Sequence, residues 1–362
     1  MKVCHMTSVH ESTDDRIFLK ECVSLAKAGY DTYQVAYGES FEKDGVKTIG
    51  LGKRASGRIK RILVSSRKVY QEALKIDADI YHVHDPELLP YAVKLKKRGK
   101  KVIFDSHEDI PRQILAKEWL PDVFRNIVSK LVESYQKKVS LELDCVITAT
   151  PYIENIFREY GAKANVVHNY PILDDINVDN SDYYVRKDIL CYAGGLTEQR
   201  GIRELISVSD DLDIELHLAG DISFDYKEEL TKQLKCKKVI FDGILNRQQI
   251  CDLYRKSKIG MALLHPTPNH VNALAIKIFE YMAAGLPIIC SDFPLWKKIV
   301  EDNGCGICVN PFNKATLVEA IQFLVTNENK AKEMGDSGKR CVHEIYNWEK
   351  EEDRLLKIYS KL

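Results

Sequence analysis

The sequence lacks any long apolar run, and none of its 362 residues lies in a window approaching the ~20 apolar residues of a membrane-spanning helix. It also lacks an excess of charge of one sign, since 53 Lys and Arg balance 53 Asp and Glu. This balance offers no electrostatic argument for a nucleic-acid partner. The opening residues, MKVCHMTSVH, lack the apolar core of a signal peptide and predict a strand instead. We therefore expect a cytoplasmic protein that does not bind nucleic acid.

Motifs of several common sites are missing as well. The sequence has neither a G-x-G-x-x-G nor a Walker A motif, which argues against a dinucleotide dehydrogenase or a P-loop enzyme. Cys305 and Cys308 form a C-x-x-C pair, but no second ligand pair accompanies it. The D-x-D sequences at Asp77–Asp79 and Asp211–Asp213 precede expected strands and are interpreted as solvated turns. We therefore expect no metal and no cofactor.

What the sequence does contain is a regular alternation of short apolar runs with longer helical patterns, which is typical of strand-helix-strand units around parallel sheets. A first set of expected strands covers Lys2–Thr7, Thr32–Ala36, Ile80–Val83, Val102–Phe104, Cys145–Ala149 and Val166–His168. A second set covers Ile189–Tyr192, Ile214–Ala219, Val239–Phe241, Ile259–Leu264, Pro287–Cys290 and Gly306–Val309. Between the sets, Pro, Asn and Asp residues interrupt the alternation. We predict a first Rossmann-like domain at 1–172, a linker at 173–186, a second Rossmann-like domain at 187–346 and a closing helix at 347–362.

A glycine-rich turn, YAGGLTEQRGI, follows the first strand of the second set, at the sheet end where open parallel sheets bind ligands. Gly194 and Gly195 allow the backbone to approach a ligand, and a helix beginning near Gly201 would direct free N–H groups at an anion. Arg200 supplies a forked cation that suits diphosphate oxygens. The alternative is an ordinary strand-to-helix turn with an exposed arginine.

The most informative segment is 265–287, in which a turn-rich loop leads into a short helix. The helix is expected to begin near Ala275 and to end at Gly285. Lys277 and Glu280 would share one face of it. The alternative to a ligand site is an ordinary surface ion pair between these two residues.

Four motifs, in this order along the chain, resemble those of glycosyltransferase family 4, a group of retaining GT-B enzymes. DSHED is similar to the histidine loop of the first domain, and YAGGLTEQRGI is similar to the phosphate-binding turn. The segment that begins with VIFDGIL and ends with ALLHP is similar to the nucleobase-contacting part. KIFEYMAAGLPIICSD is similar to the donor-site signature. The resemblance implies an α/β GT-B fold, with two Rossmann-like, doubly wound parallel-sheet domains facing a cleft. It also implies a C-terminal helix that closes back on the first domain.

The resemblance implies roles for individual residues. Glu280 matches the second acid of the family's Glu, seven residues, Glu motif and would hold the ribose hydroxyls of the donor. Arg200 would neutralise the donor diphosphate, and His107 would lie near the donor sugar and the reacting carbon. The further donor-binding positions that the match implies are Gly194, Gly195, Gly243, Ile244, Asn272, Ala273 and Leu274.

Two positions depart from the family pattern. Asn272 stands where the first acid of the motif is expected, and Gly195 stands where the glycine turn usually carries Arg. Asn272 can hydrogen-bond to sugar hydroxyls but carries no charge. Because Gly195 cannot neutralise a phosphate, we expect Lys277 to share that work with Arg200.

Four polar residues that follow strands of the first domain are candidates for the acceptor side. They are Asp15, Arg16, His84 and Asp85. Their position at the carboxyl ends of strands favours a role in binding. They can equally be structural, as charges at a helix start or as hydrogen-bonded groups at a strand end.

Two segments of the first domain, Lys53–Lys75 and Trp119–Lys138, combine basic residues with apolar or aromatic ones. The apolar stripe of the first segment comprises Ile59, Ile62, Leu63 and Val69. Such segments can dock on anionic lipid, and the alternative is a solvated amphipathic helix. In family 4, a membrane-facing first domain implies a lipid-linked acceptor.

The resemblance thus predicts transfer of a sugar, with retention of configuration, from a nucleotide sugar to a glycan or a lipid-linked glycan. It places this reaction in bacterial cell-surface or capsule polysaccharide synthesis. The competing functions are a nucleotide-sugar 2-epimerase, a two-domain ligand-binding protein and a scaffold that binds nucleotide sugars without turnover. The sequence leaves open the sugar, the nucleotide and the acceptor.

Overall fold

The computed structural model describes residues 1–54, 57, 61–115, 117, 120–176, 183–234 and 238–362, with Arg61 and Gln233 as backbone only. Ile59 and Trp119, expected in the lipid-docking segments, lie outside the described residues. The chain divides into two compact units, one of residues 1–169 with 348–362 and the other of residues 170–347. The described parts of the expected linker at 173–186 belong to the second unit. Among the described helices, none is long and apolar enough to cross a membrane.

The first unit contains an eight-stranded sheet with the strand order β3-β4-β2-β1-β5-β6-β7-β8. Its strands are β1 Lys2–Glu11, β2 Asp31–Tyr37, β3 Phe41–Lys43, β4 Val46–Gly50, β5 Ile80–Val83, β6 Lys101–Ser106, β7 Cys145–Thr148 and β8 Ala164–Val166. Neighbouring strands run parallel except for β3 and β4. The order reverses direction between β1 and β5, which is where doubly wound sheets place their ligands.

The β3–β4 hairpin was not predicted from the sequence. It turns at Asp44 and Gly45, whose φ angles are 52° and 79°. Two successive positive φ angles are those of the tight hairpin turn that Asp-Gly favours. The Asp-Gly dipeptide was therefore a usable signal. The last strand of this unit also differs from the prediction, since β8 ends at Val166, where the predicted strand begins.

Helices of the first unit follow most of its strands. They are a π-helical segment Asp15–Cys22, α1 Val23–Lys27, a π-helical segment Arg61–Ser65, α2 Ser66–Ile76, α3 Leu89–Lys97, α4 Ile110–Leu115, α5 Asp122–Ser140, α6 Pro151–Glu159 and the C-terminal α15 Trp348–Tyr359. Along β1, Cys4 and Met6 enter the apolar core that α2 covers. His5 lies between them and therefore points to the opposite face. That face carries the polar cluster described below.

The C-terminal helix α15 belongs to the first unit, as expected for the closing helix. Its buried residues are Trp348, Glu351, Leu355 and Tyr359, at the spacing of one helix face. Trp348 Nε1 donates to Ser24 Oγ at 3.0 Å. Both carboxylate oxygens of Glu351 face His168, and the backbone N–H of His168 donates to Glu351 Oε2 at 2.9 Å. Polar contacts as well as apolar ones thus hold this helix in the first unit.

The second unit contains a six-stranded parallel sheet with the order β11-β10-β9-β12-β13-β14, that of a Rossmann fold. Its strands are β9 Ile189–Ala193, β10 Glu215–Ala219, β11 Val239–Gly243, β12 Ile259–Ala262, β13 Ile288–Ser291 and β14 Gly306–Val309. Its helices are α7 Ile202–Leu212, α8 Phe224–Gln233, α9 Arg247–Lys256, α10 Pro268–Val271, α11 Ile276–Ala283, α12 Pro294–Val300, α13 Lys314–Thr326 and α14 Glu328–Glu344. The order reverses between β9 and β12, so the turn after β9 lies at the expected ligand position.

Candidate active site

The glycine turn after β9 brings two cations together. Gly194 has a φ of 140°, and its N–H donates to Ala219 O at 2.9 Å. A methyl group at Gly194 would lie 3.2 Å from Lys277 Nζ and 3.5 Å from Arg200 Nη1. At Gly195, by contrast, a methyl group would meet no atom within 4 Å. Both predicted cations therefore lie beside this turn, and Gly195 leaves free space next to its backbone.

Lys277 is buried, with 5% of its surface exposed. Its ammonium donates to the Tyr192 hydroxyl at 3.1 Å and lies 4.4 Å from the centre of that ring. Burial lowers the pKa of Lys277, and the neighbouring charge of Arg200 lowers it further. Among the described residues, no carboxylate forms an ion pair with Lys277. The interpretation of Lys277 and Glu280 as an ordinary surface pair is therefore wrong.

Glu280 is held by two residues that sequence reasoning missed. Its Oε1 accepts from Arg247 Nη1 at 2.7 Å, and its Oε2 accepts from the Tyr254 hydroxyl at 2.9 Å. Arg247 and Tyr254 are two turns apart on α9, so they share one face of that helix. Each carboxylate oxygen keeps a further lone pair. Glu280 is thus oriented by the protein and can still accept from a hydroxyl group of a ligand.

The loop between α10 and α11 contains the predicted residues Asn272, Ala273 and Leu274, all of them half-buried. Trp296 Nε1 donates to Ala273 O at 2.7 Å and thereby holds the loop in place. At the start of α11, Ala275 provides no side-chain cap for the first backbone N–H groups. Uncapped N–H groups at a helix start attract anions. The indole of Trp296 is a positioning contact that the sequence did not reveal.

His270, on α10, was also missed. Its imidazole is half-buried, and Nδ1 lies 3.0 Å from His265 O. Burial lowers the pKa of His270, and the positive charges of Arg200 and Lys277 lower it further. A neutral imidazole therefore lies within electrostatic reach of the cation pair. It offers a hydrogen-bonding group without adding charge.

Gly243 ends the edge strand β11, and Ile244 follows it. Gly243 O accepts from Gly220 N at 2.7 Å. A methyl group at Gly220 would lie 1.9 Å from Gly194 O, so the ends of β9, β10 and β11 adjoin through glycine backbone. Ile244 is 79% exposed. An exposed apolar side chain beside this glycine backbone suits contact with a flat ligand group.

A separate polar cluster lies on one face of the first unit's sheet, at the ends of β1, β5 and β6. His107 Nε2 lies 3.2 Å from Asp105 Oδ2 and 3.3 Å from His84 Nδ1. His84 Nε2 in turn lies 2.9 Å from His5 Nδ1. His84 is buried, whereas the His107 side chain is 18% exposed. The structure therefore joins the predicted His84 and His107 and gives only His107 access to solvent.

Arg16, expected on the acceptor side, instead lies in the interior with 3% of its surface exposed. Its guanidinium forks onto Asp105, with Nε and Nη2 donating at 3.0 and 3.1 Å. Nη1 donates to Val167 O at 3.0 Å. Burial would raise the pKa of Asp105, but Arg16 and His107 hold it well below its usual range. Because the guanidinium is fully engaged and buried, we assign Arg16 to the fold.

Asp85 is also buried, and its carboxylate binds the C-terminal half of β1. One of its oxygens accepts from Thr7 Oγ1 at 2.8 Å, from Ser8 N at 2.5 Å and from Val9 N at 3.2 Å. A carboxylate that accepts several backbone N–H bonds fixes the local chain path. Asp15, the remaining acceptor-side candidate, is exposed at the start of the first helical segment.

His10 and Asp14 were missed in the first unit. His10 Nδ1 lies 2.9 Å from Asp14 Oδ2, and its ring centre lies 5.2 Å from that of His107. The His10 side chain is 31% exposed. Burial alone would lower the pKa of His10, but the hydrogen bond to Asp14 raises it. His10 and His107 are thus the solvent-facing imidazoles of this cluster.

Two family models match the chain. The model of glycosyl transferases group 1 matches residues 175–340, and that of glycosyltransferase family 4 matches residues 19–170. The two matches cover both sheets except for β1, and the site residues from His5 to Arg16 lie before the first match begins.

The sequences of individual glycosyltransferases are similar to this chain as well. An uncharacterised glycosyltransferase of Methanocaldococcus jannaschii is 25% identical over 255 residues, which are 64% of this chain and 64% of that protein. The match thus spans just under two thirds of that relative. The O-antigen chain mannosyltransferase C of Escherichia coli is 21% identical over 301 residues, 80% of this chain and 77% of that protein.

A solved structure shares the fold of the chain. The structure of HepE from Anabaena, in complex with UDP-glucose, is similar with a TM-score of 0.76 and 15% identity, and the likeness covers 100% of both chains. The α/β GT-B architecture predicted from the sequence is confirmed, including the two doubly wound parallel sheets and the helical C-terminus. The chain belongs to glycosyltransferase family 4, whose models match each of its two units.

Proposed function

We propose that this protein transfers a sugar from a nucleoside-diphosphate sugar to a glycan or lipid-linked glycan, with retention of configuration. The observation that carries the proposal is the buried ammonium of Lys277, which has no carboxylate partner in the described chain. This ammonium lies beside the same glycine turn as the guanidinium of Arg200. A buried cation of this kind is stabilised when an anion binds beside it. A diphosphate supplies that anion.

The proposed chemistry follows from where charge develops. As the anomeric C–O bond breaks, negative charge grows on the departing diphosphate, and fixed cations and N–H groups stabilise it. Arg200, Lys277 and the backbone around Gly194 and Ala273 are the candidate groups. The acceptor oxygen attacks the face that the phosphate leaves, and a phosphate oxygen takes the acceptor proton. This scheme requires neither a metal ion nor a pair of glycosidase carboxylates.

Other residues are proposed to bind the rest of the donor. Glu280, oriented by Arg247 and Tyr254, would accept from the ribose hydroxyls. Gly243 and Ile244 would contact the nucleobase, and His107 would contact the donor sugar. Asn272 would hydrogen-bond to sugar hydroxyls in place of the family's acid. The UDP-glucose bound by the similar Anabaena structure makes UDP the first nucleotide to try.

A nucleotide screen tests the proposal. One nucleoside diphosphate among UDP, GDP, ADP and CDP should raise the melting temperature selectively, since a ligand at 100 times its Kd stabilises the folded state by about 2.7 kcal/mol. The sugar-linked form of that nucleotide should then be consumed in the presence of an acceptor. Binding without any turnover would favour the scaffold, and isomerisation of the donor without an acceptor would favour the epimerase. No response from the folded protein would contradict the proposal.

The acceptor side is proposed to face an anionic membrane. Helix α5 exposes an apolar stripe whose members are Val123, Phe124, Ile127, Leu131 and Tyr135. Ile62 and Leu63 of the predicted stripe are exposed as well. Val69 is not part of it, because its side chain lies in the core. An exposed helical stripe flanked by lysines is typical of helices that lie on anionic lipid.

Vesicle binding tests this surface. The protein should sediment with vesicles containing anionic phospholipid and not with neutral ones. The double variant Phe124→Ser, Leu131→Ser should lose most of the binding, because both side chains are more than half exposed and lie two turns apart on the same face of α5. Phe224→Ser removes a phenyl group of the second unit that is more exposed than that of Phe124, 79% against 55%, and should change nothing. Equal binding by all three proteins would contradict this docking surface.

A further inference from the structure

Three imidazoles and one carboxylate converge in the interior of the first unit. Glu21 Oε2 lies 3.8 Å from His5 Nδ1, from His82 Nδ1 and from His84 Nε2. His5 Nδ1 and His84 Nε2 are 2.9 Å apart. All four side chains are fully buried. We call these four residues the buried histidine cluster.

The topology explains why these residues meet. His5 on β1 pairs in register with His82 on the neighbouring β5, and His84 follows two residues later on the same face. Glu21 comes from the helical segment that covers this face. The cluster is therefore built on adjoining strands and a packed helix, which hold side chains more firmly than loops do.

The surroundings of the Glu21 carboxylate do not provide the hydrogen bonds that its burial calls for. Among the described residues, none makes a hydrogen bond to either of its oxygens, and none makes one to His82 Nε2. Arg16 Nε approaches Oε1 to 3.1 Å, but the guanidinium directs its hydrogen bonds to Asp105 and Val167. Arg16 is thus one cation beside two fully buried carboxylates, Glu21 and Asp105, and the second negative charge needs a further cation or a proton.

We infer that the buried histidine cluster binds a divalent cation that prefers nitrogen and oxygen ligands, with Zn²⁺ as the leading candidate. Three imidazoles and one carboxylate are ligands that Zn²⁺ accepts in a closed tetrahedral site. Tetrahedral bonds of ~2.0–2.1 Å place the ligand atoms roughly 3.3 Å apart. The separations of 2.9 and 3.8 Å lie on either side of that value. Small side-chain rotations therefore complete the ligand set.

The groups around the cluster suit such a site. Asp105 Oδ2 lies 3.6 Å from His84 Nδ1, and the Tyr359 hydroxyl lies 3.4 Å from His5 Nε2. Histidine ligands usually donate their second N–H to an oxygen of this kind. The Tyr359 hydroxyl also lies 2.8 Å from His82 Nδ1. When His82 Nδ1 coordinates the cation, the Tyr359 hydroxyl is available to accept a hydrogen bond from His5 Nε2.

The site would influence the exposed end of the polar cluster. A cation on Nε2 of His84 leaves the proton on Nδ1, which lies 3.3 Å from His107 Nε2. The cation thereby fixes the tautomer that His84 presents to His107. The inference does not rest on the proposed transfer reaction, which uses no metal. Its test is the metal content of the folded protein.

Elemental analysis is the first measurement. The full chain, expressed without a polyhistidine tag in zinc-supplemented medium, should retain one Zn²⁺ per chain after gel filtration. After removal of the metal under denaturing conditions and refolding in Co²⁺, the protein should show the intense visible bands of tetrahedral Co²⁺. Refolding is used because the cluster has no exposed surface. Thiolate-to-Co²⁺ charge-transfer bands should be absent.

Variants locate the cation. Glu21→Gln keeps the shape of the side chain and should weaken Co²⁺ binding at least about 10-fold, and His5→Gln should do the same. Two control variants address other places where a cation could bind. His217→Gln alters an imidazole that lies near Glu215 and Asp242 in the second unit, and Cys308→Ser removes a thiol 3.5 Å from Cys290. Both should keep one cation per chain.

Two results would overturn the inference. One is a folded wild-type protein that holds no stoichiometric Zn²⁺ or Co²⁺ by either route, because Glu21 would then be neutralised by a proton. The other is cation binding that survives Glu21→Gln and His5→Gln but is lost in Cys308→Ser or His217→Gln. Circular dichroism of each variant, recorded beside the wild type, shows that the comparison is made on folded protein.

Discussion

Lys277→Met should lower the turnover of the donor by roughly 10²–10³-fold, the usual effect of removing one charge-stabilising donor from a transition state. Lys277 and Arg200 lie beside the same glycine turn, so the methionine variant would leave Arg200 to neutralise the diphosphate alone. The same variant should fold normally or be slightly more stable. Burial lowers the pKa of Lys277, which means that the charged ammonium costs folding free energy in the absence of a ligand.

Calorimetry with the nucleotide identified by the screen separates binding of the phosphates from binding of the nucleoside. The Kd for the nucleoside diphosphate should rise in Lys277→Met, whereas the Kd for the corresponding nucleoside should stay the same. Arg200→Ala should show the same pattern. Lys298→Met removes an exposed lysine of α12 and serves as the matched control. Near-normal affinity for the diphosphate in both site variants would contradict the phosphate assignment.

The sequence predicted most of the fold because the apolar runs of the parallel strands, although short, are continuous and alternate regularly with helical patterns. All twelve expected strands correspond to strands of the structure, although the sixth is displaced toward the N-terminus. The hairpin of β3 and β4 was missed, since Phe41–Lys43 and Val46–Gly50 are short and carry charges. Short edge strands have little apolar pattern to detect. Their Asp-Gly turn was the stronger signal.

The site in the second unit was predictable in part. Lys277, Glu280, Arg200 and Gly194 lie within motifs, and the structure joins Lys277, Arg200 and Gly194 at the turn after β9. The groups that orient these residues come from elsewhere in the chain. Trp296 is an example, since nothing in its local sequence indicates that its indole reaches Ala273 O. Such contacts depend on tertiary packing and have no sequence period.

The polar cluster of the first unit was less predictable. His82 and His84, two residues apart, were a usable signal that two imidazoles share one face of a strand. The residues that contact this face include Glu21 and Asp105. They could not be inferred, because they are distant in sequence from each other. The position of Arg16 at a helix start after the first strand is compatible with an acceptor-side role and equally with a structural charge. Its ion pair with Asp105, 89 positions away, places it in the interior instead.

Arg16→Met should destabilise the first unit by about 3–5 kcal/mol, the usual cost of leaving a buried charge without its partner. Arg16 forks onto Asp105 and lies 3.1 Å from Glu21, and both carboxylates are fully buried. Methionine has similar length but neither charge nor donors. Arg16→Lys should have an intermediate effect, since lysine keeps the charge but loses the planar fork.

Hydrogen exchange read by mass spectrometry is the suitable measurement, because a chain of two units need not unfold in one step. Peptides from β1 and β5 should lose protection in Arg16→Met, while peptides from β9 and β12 should keep theirs. Arg112→Met is the matched control. Arg112 pairs with Glu133 at 2.5 Å, but its side chain is 34% exposed, so the expected loss is below about 1 kcal/mol. If both variants lost equally little protection, Arg16 would not be the group that balances Asp105. The buried carboxylates would then depend on another positive charge, and the cation inferred for the histidine cluster would be the first one to examine.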